Sequence, residues 1–259
     1  MQRTIYKMKF RGVSASLSGF ANRFWTRPIN NVGDYEKILS GRRALEIGGP
    51  SEVFTDKGCL PVYRILDRID NLNFSQADYW HGEFGAEYKF HPSKSPGKLL
   101  FREGGGDLND LRGKYDVVMS SNVIEHFANP IRSVKQWMTI VGPGGYVLTV
   151  TPEKNDWIDH SRELTSWEHL LDDYQQDIGE DDLAHLEDCL KHTDRMLLPR
   201  HQVTVFDQSC KENLKTRFMH HHTWNTALVI KLHQFCGLEL VAVDKQFPTS
   251  IITLARVPA

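Results

Sequence analysis

Short apolar runs, each bounded by glycine, proline or polar residues, recur along the first 150 residues of this chain. They cover residues 44–47, 60–66, 98–102, 117–120 and 145–150. Short apolar runs between turn signals are typical of buried strands. With helical segments between them, such strands form the sheet of an α/β fold, so we predict five parallel strands.

Helical spacing of apolar residues follows the fourth and fifth strands. Residues 130–141 place four apolar side chains on one face: Ile131, Val134, Trp137 and Met138. A later helix over residues 224–236 ends at Gly237. Two more apolar runs, residues 238–243 and 250–257, complete the chain.

The segment between the fifth strand and the last helix is too long for an ordinary connection. We therefore predict that residues 153–222 form a helical insertion that covers the substrate. Thr165 and Glu168 have the spacing of a capping box, for a helix through about Tyr174. Residues 182–196 carry leucines at helical spacing. Eight of the twelve histidines lie in this insertion: His160, His169, His185, His192, His201, His220, His221 and His222.

A glycine turn follows the first strand. Gly48 and Gly49 remove side chains where the backbone must turn tightly or a ligand must come close, and Pro50 stops further strand pairing. In a doubly wound sheet, this end of the first strand opens the crevice where nucleotide-like ligands bind. Asp67 ends the second apolar run, roughly 20 residues downstream, which is the spacing of an acid that binds ribose hydroxyls.

The glycine turn, Asp67, the segment 115–127 and the segment 142–152 occur in an order that resembles the class I S-adenosylmethionine-dependent methyltransferases. The resemblance covers residues 44–152. It implies a Rossmann-like, doubly wound, mostly parallel sheet of seven strands, the last antiparallel, with S-adenosyl-L-methionine as cofactor. The methyltransferase domain would then comprise residues 34–152 and 223–259, after a basic N-terminal arm of residues 1–33.

The same resemblance assigns the cofactor contacts. It places Asp67 on the ribose, Asp107 and Leu108 on the adenine, and the remaining contacts at the turn and the sulfonium side: Glu46, Gly48, Gly49, Ser51, Asn122 and Glu125. Asp110 or Glu103 could replace Asp107. Ser51 departs from the family pattern, which has a third small residue there. The full GxGxxG of a dehydrogenase is missing, and no GxxxxGK[ST] occurs, which excludes a P-loop.

Methyl transfer to a hydroxyl requires that the hydroxyl proton leave, and histidine is the commonest general base near neutral pH. The candidates are His126, His160, His169 and, within the run of three, His221. A divalent metal could acidify the hydroxyl instead. Since no thiolate pair and no ligand pair at i, i+4 was recognised, the sequence does not specify a metal.

The insertion is rich in side chains that suit sugars and phosphates, namely Trp157, Trp167, Arg162, Arg195 and Arg200. Residues 162–174 are similar to a stretch in methyltransferase-like proteins associated with bacterial surface-polysaccharide assembly. We therefore expect O-methylation of a sugar or nucleotide-sugar. The alternatives are N- or O-methylation of another metabolite, and a non-catalytic cofactor-binding module.

Composition narrows the partners and the compartment. A net charge of −2 gives no basic field for nucleic acid. The four cysteines are scattered, which argues against a zinc ribbon or a disulfide framework and for a reducing compartment. No apolar run has the length of a membrane span. A cytoplasmic protein with a small-molecule substrate is expected, and the oligomeric state stays open.

Overall fold

A seven-stranded sheet forms the centre of the molecule in the computed structural model, which describes residues 28–78, 80–102, 106–246 and 250–259. Its spatial order is β5-β2-β1-β6-β7-β9-β8. The strands are β1 Arg43–Ile47, β2 Arg68–Asn73, β5 Leu99–Phe101, β6 Val117–Ser121, β7 Tyr146–Pro152, β8 Glu239–Gln246 and β9 Ser250–Arg256, while β3 Ala77–Asp78 and β4 Gly82–Glu83 form a separate hairpin. β9 runs antiparallel to β7 and β8, and the pairs from β5 to β7 are parallel. The predicted fold class is confirmed.

Helices cover both faces of the sheet. They are α1 Val32–Leu39, α2 Pro130–Val141, α3 Trp167–Gln175, α4 Leu186–His192, α5 Arg200–Lys211, α6 Asn213–Thr216 and α7 Thr226–Phe235. The apolar sides of α2 and α7 pack with Leu45 and Val118 on one face. On the other face α1 packs with Ala44 and Val117. Neighbouring strand residues thus point to opposite cores, as buried parallel strands require.

The prediction of the second strand is wrong. Residues 60–66 are largely buried, but they fold as turns in which the amide nitrogens of Ile65 and Leu66 donate to the carbonyl of Val62. The strand itself, β2, is the following polar segment, in which Asp70 accepts hydrogen bonds from the Tyr115 hydroxyl (2.9 Å) and the Lys98 amide (2.7 Å). Since the fold provides hydrogen-bond partners for a buried acid such as Asp70, β2 can be buried without the apolar signature of a buried strand.

The predicted insertion carries helices α3 to α6 and a small apolar core of its own, which includes Ile158, Leu197, Phe206 and Met219. The capping prediction is wrong by one residue, because the Ser166 hydroxyl accepts from the His169 amide at the start of α3. The Thr165 hydroxyl instead accepts from the Thr223 amide (2.9 Å). The predicted helix over residues 182–196 is shorter, α4, and α5 and α6 were not predicted.

The remaining predictions about chain organisation concern the N-terminal arm, the cysteines and membrane spans. Residues 1–27 of the predicted arm, and Glu103, lie outside the described residues. The four cysteines are buried free thiols. Among the described helices, none combines the length and the apolar character that crossing a membrane would require.

Candidate active site

A cavity of about 800 Å³ opens at the carboxyl ends of the parallel strands. Strand ends line one side of it, through Gly48 after β1, Asn73 of β2 and Asn122 after β6. The predicted insertion lines the other side, with Trp157, Ile158, Leu198, Phe206, Phe218 and His220. The volume is in the range of ligand sites, roughly 300–1,000 Å³.

Close packing explains both glycines of the turn. Gly48 has φ +73°, and a β-carbon there would lie 2.8 Å from Cγ2 of Val123. A β-carbon on Gly49 would lie 2.3 Å from the carboxyl carbon of Glu46. Any larger residue at either position would therefore push into the structure. Gly48 faces the cavity, whereas Gly49 packs against the buried Glu46 behind it.

Glu46, a residue of β1, stabilises the glycine turn through hydrogen bonds. Its carboxyl group accepts hydrogen bonds from the hydroxyls of Ser51 (2.7 Å), Tyr63 (2.7 Å) and Tyr88. Burial raises its pKa, and the three hydroxyl donors act in the opposite direction. Ser51 also lines the cavity, and its side chain bonds Glu46 rather than capping the following short 3₁₀ helix, Glu52–Phe54. Glu46 and Ser51 thus hold the glycine turn in place.

The structure places Asp67 at the wrong end of the second strand for a cofactor contact. Because β2 begins at Arg68, Asp67 is exposed at its amino end, where its backbone amide donates to the carbonyl of Arg42. Ligands in open α/β sheets bind outside the carboxyl ends. The polar side chain that lines the cavity at the carboxyl end of β2 is that of Asn73, between Leu72 and Phe74, and its amide donates to the carbonyl of Gly49 at 3.4 Å.

The two residues predicted at the adenine differ in position. Leu108 is buried and lines the cavity. Asp107 is exposed, and its carboxylate accepts from the Asn109 amide at 2.9 Å. The alternative acid, Asp110, pairs with Arg102 at 2.8 Å. Neither Asp107 nor Asp110 lines the cavity, whereas the apolar Leu108 does.

The loop after β6 lines the opposite end of the cavity. Asn122 adopts the left-handed conformation, with φ +52°, which asparagine tolerates better than most residues. Glu125 also lines the cavity and is only 1% exposed, and its Oε2 atom has no hydrogen-bond partner in the described chain. Burial raises its pKa to about 7. Glu125 is thus a buried carboxyl group that faces the cavity at a pKa near neutrality.

A histidine–aspartate pair lies in the wall beside this loop. Nδ1 of His220 lies 2.6 Å from Oδ2 of Asp159, and both side chains are buried. Asp159 also accepts from Nη1 of Arg162 (3.1 Å). Burial opposes the charges, but His220 and Arg162 still lower the pKa of Asp159 to about 2. Asp159 in turn raises the pKa of His220 to about 9 against the same opposing effect of burial.

His126 packs against this pair. Its ring meets that of His220 edge-on at 4.6 Å between centroids, and its Nδ1 lies 3.2 Å from the carbonyl oxygen of Met219. Burial, followed by the charge of His220, lowers the pKa of His126 well below its usual value. His126 is therefore a neutral group in the cavity wall, next to a charged one.

The other three predicted histidines lie away from the cavity wall. His160 pairs with Asp194 (2.9 Å), and Nε2 of His221 lies 3.0 Å from the Asn213 amide nitrogen. His169 belongs to a separate cluster with Asp173, one helical turn further along α3. His169 and Asp173 are a candidate ligand pair at i, i+4, so the prediction that the chain has no such pair is wrong.

Sequence reasoning missed His220 as the histidine of this pair. The run of three histidines is visible in the sequence, but 61 positions separate Asp159 from His220. Consecutive residues in an extended segment point in different directions, so the sequence alone does not decide which histidine of the run faces the cavity.

Comparison with known proteins identifies the family. The model of the methyltransferase domain family matches residues 18–194, which is more than half of the chain. A highly reducing polyketide synthase of Emericella nidulans, pkhB, is 25% identical over 186 residues, covering 63% of this chain and 6% of that protein. The chain thus spans only a small part of the length of this curated relative.

Solved structures share the fold. A Rhodobacter sphaeroides protein provisionally named a Zn-dependent alcohol dehydrogenase superposes with a TM-score of 0.52 at 16% identity, over 99% of this chain and 98% of that one. An S-adenosylmethionine-dependent methyltransferase from Mesorhizobium loti gives 0.47 at 12% identity, over 87% and 95%. At these identities the likeness concerns the fold alone.

The cavity fits the cofactor of this family. The bare backbone at Gly48 allows close approach, Leu108 and Val123 offer apolar walls for a base, and Asn73 offers an amide at the end of β2. The unpartnered carboxyl oxygen of Glu125 suits a cationic group. The chain belongs to the class I S-adenosylmethionine-dependent methyltransferases, and S-adenosylmethionine is its methyl donor.

Proposed function

We propose that this enzyme methylates a hydroxyl group of a sugar or nucleotide-sugar, and that His220 is the general base. The observation that carries the proposal is the His220–Asp159 pair in the cavity wall, 2.6 Å between Nδ1 and Oδ2. A base at this place is needed only if the acceptor loses a proton as the methyl group arrives. A hydroxyl acceptor meets that condition.

The pair defines how the proton would move. The bound cofactor supplies an electrophilic methyl group on a sulfonium. Because the pKa of His220 is about 9, the imidazole must first release its Nε2 proton, so turnover should rise as the pH increases towards 9. In the resulting neutral His220, the Nδ1–H donates to Asp159, which leaves a lone pair on Nε2 to take the hydroxyl proton. Asp159 then stabilises the imidazolium, and Arg162 holds the carboxylate in place. A base placed in this way contributes about 10²–10⁴-fold to the rate.

His126 and Glu125 complete the polar part of the wall. Because His126 stays neutral, it can hydrogen-bond an acceptor hydroxyl without adding charge beside His220. Glu125 adds a carboxyl group close to both histidines, with candidate ligand atoms of all three residues within 4.8 Å of one another. We assign these two residues to orienting the acceptor and offsetting the sulfonium charge.

Aromatic side chains support a sugar as acceptor. Trp80 is 41% exposed at the cavity, and it stacks on Phe218 with ring centroids 5.0 Å apart and an angle of 5° between the rings. Trp157 lines the same cavity. Flat aromatic faces beside a few polar groups suit a ring that is apolar on its faces and polar at its edge.

For the cofactor, we propose that Gly48, Leu108, Asn122 and Glu125 keep the contacts expected from the sequence. Asn73 would replace Asp67 at the ribose, because it lies at the carboxyl end of β2. Glu46, Gly49 and Ser51 would act through the shape of the turn.

The alternative acceptor is an acidic carbon. Its support is the 25% identity to a polyketide synthase over 186 residues, because polyketide chains carry carbons activated by neighbouring carbonyls. The same base would take a proton from carbon. Apolar wall residues such as Ile158 and Leu198 are compatible with that acceptor.

Product analysis separates these acceptors. The purified protein is incubated with methyl-labelled S-adenosylmethionine and panels of nucleotide-sugars, free sugars, β-ketoacyl thioesters and amines. We expect label in a sugar. Label in the thioesters alone would establish the carbon acceptor, and label in amines alone would remove the need for the base. If S-adenosylhomocysteine binds but no acceptor is labelled, the chain acts as a cofactor-binding module.

A further inference from the structure

A second group of titratable side chains lies in the insertion, apart from the cavity wall. It consists of His169 and Asp173 of α3, His185 at the start of α4, and His222 in the segment before α7. One candidate ligand atom from each residue lies within 4.8 Å of the others. We call these four residues the insertion cluster.

The distances within the insertion cluster approach those of a metal coordination shell. Nε2 of His169 lies 2.9 Å from Nε2 of His185 and 3.3 Å from Oδ2 of Asp173, which lies 3.6 Å from Nε2 of His222. With zinc–ligand bonds of about 2.0–2.2 Å, neighbouring ligand atoms in a tetrahedron are about 3.4 Å apart. The three distances given lie within about 0.5 Å of this value, and any pair near the 4.8 Å limit of the cluster would have to close by about 1.4 Å on binding.

The insertion cluster also leaves buried polar atoms unsatisfied. Oδ2 of Asp173 and Nδ1 of His222 are buried without a hydrogen-bond partner in the described part of the chain. Buried polar atoms nearly always have a partner, so each exception requires an explanation. Oδ2 of Asp173 has only the contacts at 3.3 and 3.6 Å to Nε2 of His169 and His222, and a cation between the four side chains would bind this oxygen directly.

The histidines of the insertion cluster present ring nitrogens to a common centre. Nε2 of His169 faces Nε2 of His185, and Nε2 of His169 and Nε2 of His222 both face the Asp173 carboxylate. Neutral imidazole nitrogens and a carboxylate oxygen are ligands that zinc accepts. His222 must give up a 3.2 Å contact between its Nε2 and the Ala128 carbonyl, so we regard it as the weakest of the four ligands.

We propose that His169, Asp173, His185 and His222 bind one zinc ion in a structural site. Three imidazoles and one carboxylate in a tetrahedral arrangement are typical of zinc, and four protein ligands leave no open position for a substrate. The ion would join α3, α4 and the segment before α7. Since His222 lies two residues after His220, the site would also fix the segment that carries the proposed base.

Cobalt spectroscopy tests the site without relying on activity. The full-length protein is stripped with a chelator and titrated with Co²⁺, whose visible absorption is intense only in tetrahedral sites. We expect one equivalent of tetrahedral Co²⁺, displaced by Zn²⁺. His169→Gln and Asp173→Asn should weaken binding at least ~10-fold, whereas His91→Gln, which removes a histidine paired with Asp56 in the core domain, should leave it unchanged.

A fourth variant locates the ion directly. His185→Cys keeps a ligand at position 185 and should add a sulfur-to-cobalt charge-transfer band, which appears only if residue 185 binds the metal. The band decides the question even if the other variants fold poorly. Absence of tetrahedral Co²⁺ from the folded wild-type protein would overturn the proposal. So would a folded His185→Cys variant without the band, or loss of the cobalt spectrum in His126→Gln with retention in His169→Gln.

Discussion

Asp159→Asn is the substitution that separates the proposed catalytic pair from the rest of the fold. The asparagine has nearly the same shape but no charge, so both the 2.6 Å contact to His220 and the 3.1 Å contact from Arg162 lose their ionic partner. The asparagine would no longer stabilise the imidazolium that forms when His220 takes the proton. We expect turnover to fall by about 10²–10⁴-fold, the contribution of a general base, while affinity for S-adenosylhomocysteine is retained.

The stability effect of the same substitution follows from the pKa of Asp159. The pKa is about 2 in the folded protein, against a reference value of 3.8. The difference of about 1.8 units corresponds to about 2.5 kcal/mol of stability at neutral pH. Because the folded pKa is the lower one, this stabilisation is present above about pH 4 and disappears as the pH falls towards 2. By pH 3 about 1 kcal/mol of it should remain.

Urea unfolding and steady-state kinetics measure both effects. The wild type should be more stable than Asp159→Asn by at least about 2 kcal/mol at pH 7, and this difference in unfolding free energy should narrow by roughly half at pH 3. Asp194→Asn is the matched control, because Asp194 also pairs with a histidine of the insertion, His160, at 2.9 Å. It should keep normal turnover. Equal turnover of wild type and Asp159→Asn, or equal losses in both variants, would refute the catalytic pair.

Four further substitutions, one of them a control, test the cavity. Gly48→Ala, which forces a β-carbon to 2.8 Å from Val123 at φ +73°, should weaken S-adenosylhomocysteine binding at least ~10-fold by calorimetry; unchanged affinity would remove the turn from the site. Asn73→Ala should weaken the same binding by about 10-fold for one lost hydrogen bond, while Asp67→Ala should not, and the reverse result would restore Asp67. Trp80→Ala should raise the KM of the sugar acceptor but leave cofactor affinity intact; an unaltered KM would place the sugar elsewhere.

Predictions of helices and strands from the sequence were most reliable for elements that have one apolar face. Residues 130–141 form α2 with the predicted limits, since its apolar positions recur every three or four residues and proline and glycine bound it. The glycine turn was equally clear, because Gly48 and Gly49 have no room for a side chain. Such signals are local, so a single sequence contains them.

The second strand failed because burial and strand pairing are different properties. Residues 60–66 are apolar since they pack under the sheet, but their backbone forms turns. β2 pairs with two neighbouring strands, although two of its buried side chains, Asp70 and Asn71, are polar. Asp70 accepts a hydrogen bond from the Tyr115 hydroxyl inside the fold. Because the second strand was predicted too early in the chain, the ribose contact was assigned to Asp67, six residues before Asn73 at the end of β2.

The histidine pairs of the candidate site were not predicted, for a different reason. The partners His220 and Asp159, and likewise His169 and His222, are brought together by the packing of the insertion rather than by sequence spacing. Composition predicted that histidines would matter in this segment. Only the tertiary structure shows which histidine belongs to the pair in the cavity wall and which belong to the insertion cluster.

In the proposed reaction, His220 removes a proton from a sugar hydroxyl as the methyl group is transferred. A single-turnover measurement with ¹³C-methyl-labelled S-adenosylmethionine tests this role, with the labelled atom identified by NMR. We expect a methyl ether on a sugar oxygen, formed about 10²–10⁴-fold more slowly by His220→Asn than by the wild type. Label on carbon or nitrogen, or equal single-turnover rates of the two proteins, would contradict it.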